Sequence, residues 1–309
     1  MIVNVDPNYD VVLTFSPINE ITGHIFECFD YYLFLRNYYR VGILFLGSIP
    51  EEKLRNAFND KYIFEYDDIR KDIVVIEHDE LKTRKMFTFG KNTIVLLCDG
   101  NIHQLQLYGI HLICKTLLGF LCAEKEESYV WEGSHYRNIV YLKDYRIYPG
   151  NRYFRSIDYV KKLPFRYYRK SAREFDNTGM MYVTYACRKI TPQIIQEYHE
   201  MSGCTRTILV VPYRLPEYDG IPDVEQIEAP VEDFFGKFDT YIYTPVQRKF
   251  DCSPRLVTEC FLHERKVLIN LNYVDIGLQT RYNDCKKDIE SVNLREDDGI
   301  LKIIEDFRK

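Results

Sequence analysis

Short apolar runs alternate with segments of helical periodicity along most of this 309-residue chain. In the first half, the apolar runs are Val11–Phe15, Val41–Leu46, Ile73–Ile76 and Thr93–Cys98. These runs are rich in β-branched and aromatic residues, which favour strands. Helical spacing of apolar residues is found between them, in Glu20–Tyr39 and Glu51–Phe58. Strands that alternate with helices predict an α/β fold, with a parallel sheet covered by helices on both faces.

A second series of the same kind follows later in the chain. Its apolar runs are Tyr182–Ala186, Thr207–Val211, Tyr241–Tyr243 and Val267–Asn270. Helices are predicted over Pro192–Met201 and Gly299–Phe307, and Leu215–Glu232 reads as a connection. In the first half, Ile102–Leu121 predicts one or two buried helices. The length suits two domains of about 150 residues, so we predict Rossmann-like domains over 1–144 and 179–309, joined by an interdomain segment, 145–178.

The composition excludes few classes of protein. A formal net charge of −5 gives no overall sign of a nucleic-acid binder. The nine cysteines include no Cys-x-x-Cys pair, and several lie in apolar runs, which is typical of a reducing cytosol. The N-terminus lacks the basic and apolar regions of a signal peptide, and the longest apolar stretch, Ile110–Ala123, is too short to span a bilayer. We therefore expect a cytoplasmic protein that does not contact membranes.

The stretch Asp251–Ile269, DCSPRLVTECFLHERKVLI, combines a turn, a short helix and a buried strand. Pro254 suits the first turn of the helix. Glu259 falls one helical turn after Arg255. A carboxylate in this place can accept two hydrogen bonds from a ribose diol, while the helix N-terminus offers N–H groups to phosphate. The alternative is a structural one, in which Glu259 pairs with Arg255 on the same helix.

Polar residues also follow two strands of the first series. The loop Ser16–His24, SPINEITGH, comes after the first strand, and its polar candidates are Glu20, Thr22 and His24. Asp99 follows the run Val95–Cys98 directly. Ligands of such folds bind at the carboxyl ends of the strands, so we expect both acids at that edge. The structural alternatives are a helix-dipole role for Glu20 and an Asp-Gly turn at Asp99.

Taken together, these motifs resemble those of GT-B glycosyltransferases, and within that fold the bacteriophage enzymes that glucosylate DNA. The resemblance rests on the Pro-Arg-x-x-x-Glu segment before a strand, the Glu20 loop, the strand-end Asp99 and the basic loop Ala186–Lys189. Two departures are an Arg-to-Glu spacing of four instead of three and one fewer glycine beside Arg188. The resemblance implies two Rossmann-like domains with a cleft between them. The N-terminal domain would take the acceptor and the C-terminal domain the nucleotide sugar.

The chemistry that the resemblance implies is an inverting transfer of a hexosyl or pentosyl group to an acceptor hydroxyl. Asp99, or else Glu20, would deprotonate that hydroxyl. The donor, expected to be a UDP-sugar, would be held by Arg188, Lys189, Ser253, Arg255 and Glu259. Cations suit the diphosphate leaving group because negative charge builds there in the transition state. The sequence has no Asp-x-Asp motif and implies neither a metal site nor a tightly bound cofactor.

The segment Tyr145–Arg173 points to the acceptor. It carries nine Lys or Arg residues and one acid, interleaved with Tyr and Phe. Such a segment suits a DNA backbone, and its candidate contacts are Arg152, Arg155, Arg166, Arg169 and Lys170. A monomer acting on a hydroxymethylated pyrimidine in phage DNA, in the host cytoplasm, is the function expected.

Three alternatives stay open. The segment could be a solvated linker whose rings pack on the domains. The acceptor could be a cell-surface polysaccharide or a lipid-linked sugar. The chain could also be a non-catalytic nucleic-acid-binding protein that retains the fold.

Overall fold

The computed structural model describes residues 2–19, 21–121, 138–144, 155–162, 165–172, 177–183, 190–229, 231, 233–243, 245, 254–272, 274–291 and 298–309. The chain divides into two compact units. The first comprises Met1–Arg169 with Asn293–Lys309, and the second comprises Lys170–Val292. Both units are α/β, and every strand pair within the sheets of the described residues is parallel.

The first unit contains a seven-stranded sheet and a smaller sheet. The large sheet comprises β2 (Val11–Thr14), β3 (Val41–Leu46), β4 (Ile73–Ile76), β6 (Ile94–Leu97), β8 (Thr116–Leu121), β9 (Ile139–Lys143) and β10 (Ser156–Asp158). The small sheet comprises β1 (Ile2–Asn4), β5 (Met86–Thr88) and β7 (His111–Ile113). In the large sheet the order is β10-β9-β8-β6-β2-β3-β4. The chain therefore builds outward from β2 in one direction, then reverses and builds from β6 in the other.

The first unit also contains α-helices. They are α1 (Gly23–Leu35), α2 (Glu51–Lys61), α3 (Tyr66–Ile69), α4 (His78–Leu81), α5 (Ile102–Leu107) and α9 (Asp298–Arg308). Of these, α1 and α9 pack on the large sheet. Each residue of β2, β3, β6 and β8 is buried. Helix α1 packs on the sheet through Phe29, whose ring lies 5.6 Å from that of Phe45 and 4.9 Å from that of Phe58. Burial on both faces explains why these strands read as continuous apolar runs.

The second unit has a five-stranded sheet with the same kind of reversal. Its strands are β11 (Thr178–Tyr182), β12 (Arg206–Val211), β13 (Val224–Glu228), β14 (Thr240–Tyr243) and β15 (Lys266–Ile269). Its helices are α6 (Pro192–Ser202), α7 (Arg255–Leu262) and α8 (Ile276–Ser291). The order is β13-β12-β11-β14-β15, so the reversal falls between β11 and β14. Met181, Leu209, Ile242 and Ile195 form its core with their neighbours.

The prediction of buried helices over Ile102–Leu121 was wrong. Only α5 is helical there, and it is followed by β7 and β8. Gly109 adopts a left-handed φ of +65°, which stops the helix. The run Thr116–Leu121 is a strand paired with β6 and β9 and is buried throughout. A strand buried on both faces lacks the alternation of apolar and polar residues by which a strand is told from a helix in a sequence.

Two strands of the second unit also differ from prediction. Strand β11 shares only Tyr182 with the predicted run, because Gly179 lies inside it where a Cβ would come within 2.8 Å of Thr207 Oγ1. A strand that contains a glycine at such a close approach is not recognised from the β-propensity of its residues. Strand β13 lies within the predicted connection Leu215–Glu232. It is an edge strand whose residues are only partly buried or exposed.

The division into units differs from the predicted domain bounds at two places. Helix α9 belongs to the first unit, where Arg308 forms a 2.6 Å ion pair with Asp10 and lies over the ring of Tyr39. The predicted interdomain segment is divided, because its residues up to Arg169 belong to the first unit. Tyr167 and Tyr168 are buried there.

The turn at Gly100 yields a test of the packing between β6 and β8. Gly100 has φ +59°, and a Cβ there would lie 2.1 Å from the carbonyl oxygen of Phe120. We expect Gly100→Ala to lower the free energy of unfolding by well over about 1 kcal/mol, since a backbone clash adds to the strain. The matched control is Gly203→Ala, at φ +66° with open space around it, which carries the strain alone. Equal losses in urea titrations of the two variants would contradict the close approach.

Candidate functional site

Asp99 and Ser16 meet at the reversal point of the first sheet. Asp99 Oδ2 accepts a 3.1 Å hydrogen bond from the Ser16 backbone N–H and a second, short one from the Ser16 hydroxyl. Asp99 Oδ1 accepts from the N–H of Asn101 at 3.1 Å. The Asp99 side chain is buried, with the residue 5% exposed. This carboxylate therefore joins the loops that follow two neighbouring parallel strands.

The local sequence explains this arrangement. Ser16 lies two residues after β2, and Asp99 two residues after β6. The two strands pair in parallel, from Val11 with Ile94 to Thr14 with Leu97, so their carboxyl ends meet. The Asp-Gly turn that the sequence offered as the structural alternative is also present, because Gly100 is left-handed. Asp99 lies at the edge where the sequence predicts it, and Glu20 lies outside the described residues.

A buried ion pair lies beside this site and was missed from the sequence. Lys161 Nζ lies 2.5 Å from Glu27 Oε1, and their side chains are only 6% and 7% exposed. Glu27 is in the second turn of α1, and His24 in its first turn places Nδ1 3.8 Å from Glu27 Oε2. The spacing of His24 and Glu27 along one helix face is readable from the sequence. The partner Lys161, 134 residues away, is not.

Tyrosines hold the loop that carries Lys161 against α1. The hydroxyls of Tyr31 and Tyr159 lie 2.8 Å apart, and Tyr31 also donates to the carbonyl of Lys162 at 3.1 Å. The Tyr31 and Tyr159 rings stack on that of Phe120 at 4.9 and 5.5 Å. These contacts deliver a lysine from beyond the edge strand β10 to the start of α1.

Electrostatics fix the charge state of Glu27. Burial alone would raise its pKa, but Lys161 and His24 outweigh that effect and lower the pKa of Glu27 to about 2. The two thiols nearby behave in the opposite way. Burial raises the pKa of Cys28 and of Cys98 above the usual value. Both thiols are therefore protonated near neutral pH and act as small core groups, not as nucleophiles.

In the second unit, the predicted helix and strand of the donor segment are present, but β15 is an edge strand that is only partly buried, and the turn at 251–253 lies outside the described residues. Pro254 precedes helix α7, which is followed by strand β15. Arg255 Nε lies 2.7 Å from Glu259 Oε1, and their side chains are 13% and 1% exposed. This is the pairing that the sequence left open as the structural alternative. Glu259 is thus a buried residue of α7, which the ribose-ligand interpretation did not anticipate.

The residues after α7 anchor the start of the second unit. Arg265 Nε donates to the carbonyl of Phe235 at 2.8 Å, and its guanidinium also donates to the carbonyl of Ala172 at 3.2 Å. His263 stacks on Phe235 at 4.2 Å and accepts a 3.2 Å hydrogen bond from the Ser171 N–H. His263 and Arg265 therefore have structural roles. The other predicted donor residues, Arg188, Lys189 and Ser253, lie outside the described residues.

The basic aromatic segment is partly integrated into the first unit. Tyr159, Tyr167 and Tyr168 are buried, and the hydroxyls of Tyr168 and Tyr62 both donate to the buried Asp30 at 2.6 and 2.7 Å. These rings pack on the domain, as the linker alternative has it, and are not available to stack on a base.

The cations of this segment differ in exposure. Lys161 is buried, whereas four of the five candidate DNA contacts are on the surface. Arg155, Arg166, Arg169 and Lys170 are exposed. Arg169 is engaged by Glu65 at 2.8 Å and by the Tyr62 carbonyl, and Lys170 lies 3.7 Å from Glu264. The Arg166 guanidinium lies over the ring of its neighbour Tyr167 at 4.8 Å. Arg152 lies outside the described residues.

Comparison with known proteins found no matching family model, no matching curated protein and no matching solved structure. Among the described residues, no group of three His, Cys, Asp or Glu side chains is placed to hold a metal ion. Within the same residues, none of the helices has the length and apolarity to cross a membrane.

The buried ion pair yields a stability prediction. Lys161→Met leaves the Glu27 carboxylate buried without its main counter-charge, and we expect a loss of about 3–5 kcal/mol in the free energy of unfolding. The double variant Glu27→Gln/Lys161→Met should recover most of this loss. As a control, Lys82→Met removes a cation from an exposed pair with Asp79 and should leave the urea midpoint unchanged. A double variant as unstable as Lys161→Met would contradict the pairing.

The same pair gives the sign of a pH effect. The folded-state pKa of Glu27, about 2, lies below its ordinary value of 4.5. Its contribution to stability is therefore complete above pH 4.5 and is lost as the pH falls towards 2. The free energy of unfolding of Glu27→Gln/Lys161→Met should not show this loss at low pH.

Proposed function

We propose that this protein is a GT-B glycosyltransferase that uses a nucleotide-sugar donor. The observation that carries the proposal is the strand order of the two units, each of which reverses beside its first central strand. In open α/β sheets, ligands bind beyond the carboxyl ends of the strands at such reversals. Asp99 follows a reversal strand of the first sheet, and α7 comes after β14, a reversal strand of the second.

In the first unit, Asp99 is the proposed general base. Its carboxylate is held by three donors from Ser16 and Asn101, so it is fixed in orientation before substrate binds. A positioned carboxylate can take the proton from an acceptor hydroxyl as that hydroxyl attacks the anomeric carbon. The proton passes to Asp99, the new bond forms at the anomeric carbon, and the nucleoside diphosphate leaves with the electron pair of the broken bond.

In the second unit, the Arg255–Glu259 pair supports a donor site at the start of α7. A guanidinium is suited to the diphosphate because it offers several donors and a permanent charge. Glu259, nearly fully buried, fixes the Arg255 side chain at 2.7 Å. We therefore propose that Glu259 positions Arg255, which gives the carboxylate a role distinct from direct ribose binding. The N–H groups of the first turn of α7 add to the attraction for phosphate.

The proposal is tested by turnover of nucleotide sugars. The parent should release nucleoside diphosphate from at least one UDP-sugar, and Asp99→Asn should slow this release by about 10²–10⁴-fold. The side-chain amide of the new asparagine would place its N–H group against the N–H of Asn101, so the variant should lose some stability. The assay is therefore run under conditions in which the variant is folded. A non-catalytic nucleic-acid-binding protein would give no release at all.

Asp239→Asn is the matched control for this test. Asp239 has the same 5% exposure as Asp99 and accepts a 3.0 Å hydrogen bond from the Thr178 N–H. It directly precedes β14, at the end of the sheet opposite to the reversal loops. The folded fraction of Asp239→Asn should release nucleoside diphosphate at the parental rate. Equal losses in the two variants would remove Asp99 from the chemistry.

We further propose that the acceptor is DNA carrying a hydroxymethylated pyrimidine. Support comes from two exposed cations of the basic segment. Arg155 lies over the ring of Phe307, and Arg166 lies over the ring of Tyr167. A carbohydrate or lipid-linked acceptor is the competing proposal. Arg169 and Lys170 have the acidic neighbours Glu65 and Glu264, which makes these two cations poorer candidates for phosphate contacts.

The DNA acceptor can be tested by salt dependence. Arg155→Glu/Arg166→Glu should lower the slope of log affinity against log salt by about two and weaken binding of duplex DNA at low salt. Lys53→Glu/Lys91→Glu makes the same change of net charge at exposed positions elsewhere in the first unit. If both pairs of changes act alike, only the overall charge matters and the specific DNA surface is refuted.

A further inference from the structure

The residues that follow α2 and part of the basic aromatic segment pair side by side along helix α1. Tyr62 and Tyr168 form an antiparallel bridge between them. The Tyr62 hydroxyl lies 3.1 Å from the carbonyl oxygen of Phe26, in the first turn of α1. The Tyr167 hydroxyl accepts from the side-chain amide of Asn37, two residues beyond α1, at 2.7 Å. The paired segments therefore follow α1 from its first turn to its end.

Two cations lie over aromatic rings at the two ends of this stretch. Lys61 Nζ is 4.1 Å from the ring centre of Phe26. The guanidinium of Arg36, which directly follows α1, is 4.3 Å from the ring centre of Phe64. Because Phe26 and Arg36 are separated by about ten residues of helix, the two cations lie about 15 Å apart along α1.

Arg166 joins the cation at the end of α1. Its guanidinium is 4.8 Å from the ring centre of Tyr167, which in turn lies 5.8 Å from that of Phe64. Arg36 and Arg166 thus flank one pair of contacting rings. Arg166 is exposed, whereas Arg36, Phe64 and Lys61 are half-buried. A ring beneath a cation attracts it and keeps it in place without neutralising its charge.

The charges of this surface favour an anionic partner. For Arg36, the described residues provide ring contacts but no ion pair. Glu65, the acid next to Phe64, is paired with Arg169 at 2.8 Å. A guanidinium that lies over a ring directs its N–H groups outward in its own plane, in the geometry that phosphate oxygens accept. A nucleic acid repeats this charge along a line, so it fits cations spread over about 15 Å better than one small anion does.

We propose that Arg36, Lys61 and Arg166 form a docking surface for a nucleic-acid backbone alongside α1. Its length of about 15 Å corresponds to roughly four or five base pairs of duplex. The surface rests on the proposed function for its place in a reaction. Helix α1 begins after β2, near the sheet edge where Asp99 lies, and ends at the opposite edge, before β3. The surface therefore holds DNA that flanks the reacting base, not the base itself.

Arg36→Gln/Lys61→Gln is the informative variant, because it removes two of the three cations. It should lower the slope of log affinity against log salt by about two for duplex DNA. The change should be the same with and without a hydroxymethylated pyrimidine, since only the backbone is contacted. Lys91→Gln/Lys302→Gln is the matched control, with the same change of net charge at exposed positions elsewhere in the first unit. This control should keep the parental slope.

Arg36→Lys gives a second reading that does not depend on charge. The lysine keeps a cation at the end of α1, where it complements the helix dipole, but lacks the planar fork of the guanidinium. The salt slope should therefore stay parental while DNA binding weakens about 3- to 10-fold, the worth of one hydrogen bond. Parental affinity in this variant would contradict a guanidinium–phosphate contact. Urea midpoints of all variants show that binding is measured on folded protein.

A parental slope in Arg36→Gln/Lys61→Gln, or an equal decrease in the control, would overturn the surface and leave the two cations as covers for Phe64 and Phe26. A parent that binds no nucleic acid would overturn it as well. The proposed function fails separately, if no nucleotide sugar is turned over. DNA binding that weakens in the variant, without any turnover in the parent, would support the surface and refute the transferase. Turnover without any DNA binding would do the reverse.

Discussion

Parallel pairing of the strands, with the central strands buried, is the constraint on which both units depend. Such strands cannot be joined by tight turns, so each must be followed by a crossover over one face of the sheet. All carboxyl ends then point to one edge, and the loops that leave them diverge where the order reverses. In the first unit the loops after β2 and β6 diverge in this way, and the Asp99 carboxylate connects them through Ser16. The position of the candidate site is thus a consequence of the topology.

The parts of the fold that sequence reasoning predicted are those in which one local signal dominates. Strands β3 and β4 are β-branched runs bounded by turn residues, and Asp99 ends such a run. Strand β8 was misassigned because its burial removes the alternation on which the assignment relies. The Glu27–Lys161 pair was missed for a different reason. Each residue alone reads as an ordinary surface charge, and only the tertiary fold brings them within 2.5 Å.

The basic segment shows how composition can mislead. Its excess of cations predicts one charged surface, whereas the described residues divide into two groups with different roles. Lys161 is buried and neutralises Glu27, and the tyrosines around it are buried too. Arg155 and Arg166 remain on the surface. Net charge counts these residues equally, but a buried cation that compensates a buried acid contributes nothing to long-range attraction for DNA. Only the exposed cations bear on the proposed DNA acceptor.

The two reversal points also differ in charge, and this difference supports a division of chemistry between the units. At the first, Asp99 lies at a strand end and Glu27, held ionised by Lys161, lies in the second turn of α1. An ionised carboxylate accepts a hydrogen bond from a hydroxyl group but repels phosphate. At the second, α7 begins with Arg255, whose counter-ion Glu259 lies on the same helix and is nearly fully buried. Of that pair only Arg255 is partly accessible, with 13% of its side chain exposed and its Nε and Nη1 atoms buried, and a guanidinium is the group suited to an anion. A reaction that joins a neutral hydroxyl to a sugar and expels a diphosphate needs one site of each kind. The pattern therefore supports the proposed transfer from a phosphorylated donor, because a protein that only binds nucleic acid gives no reason for the ionised, buried Glu27 at the edge of the first sheet.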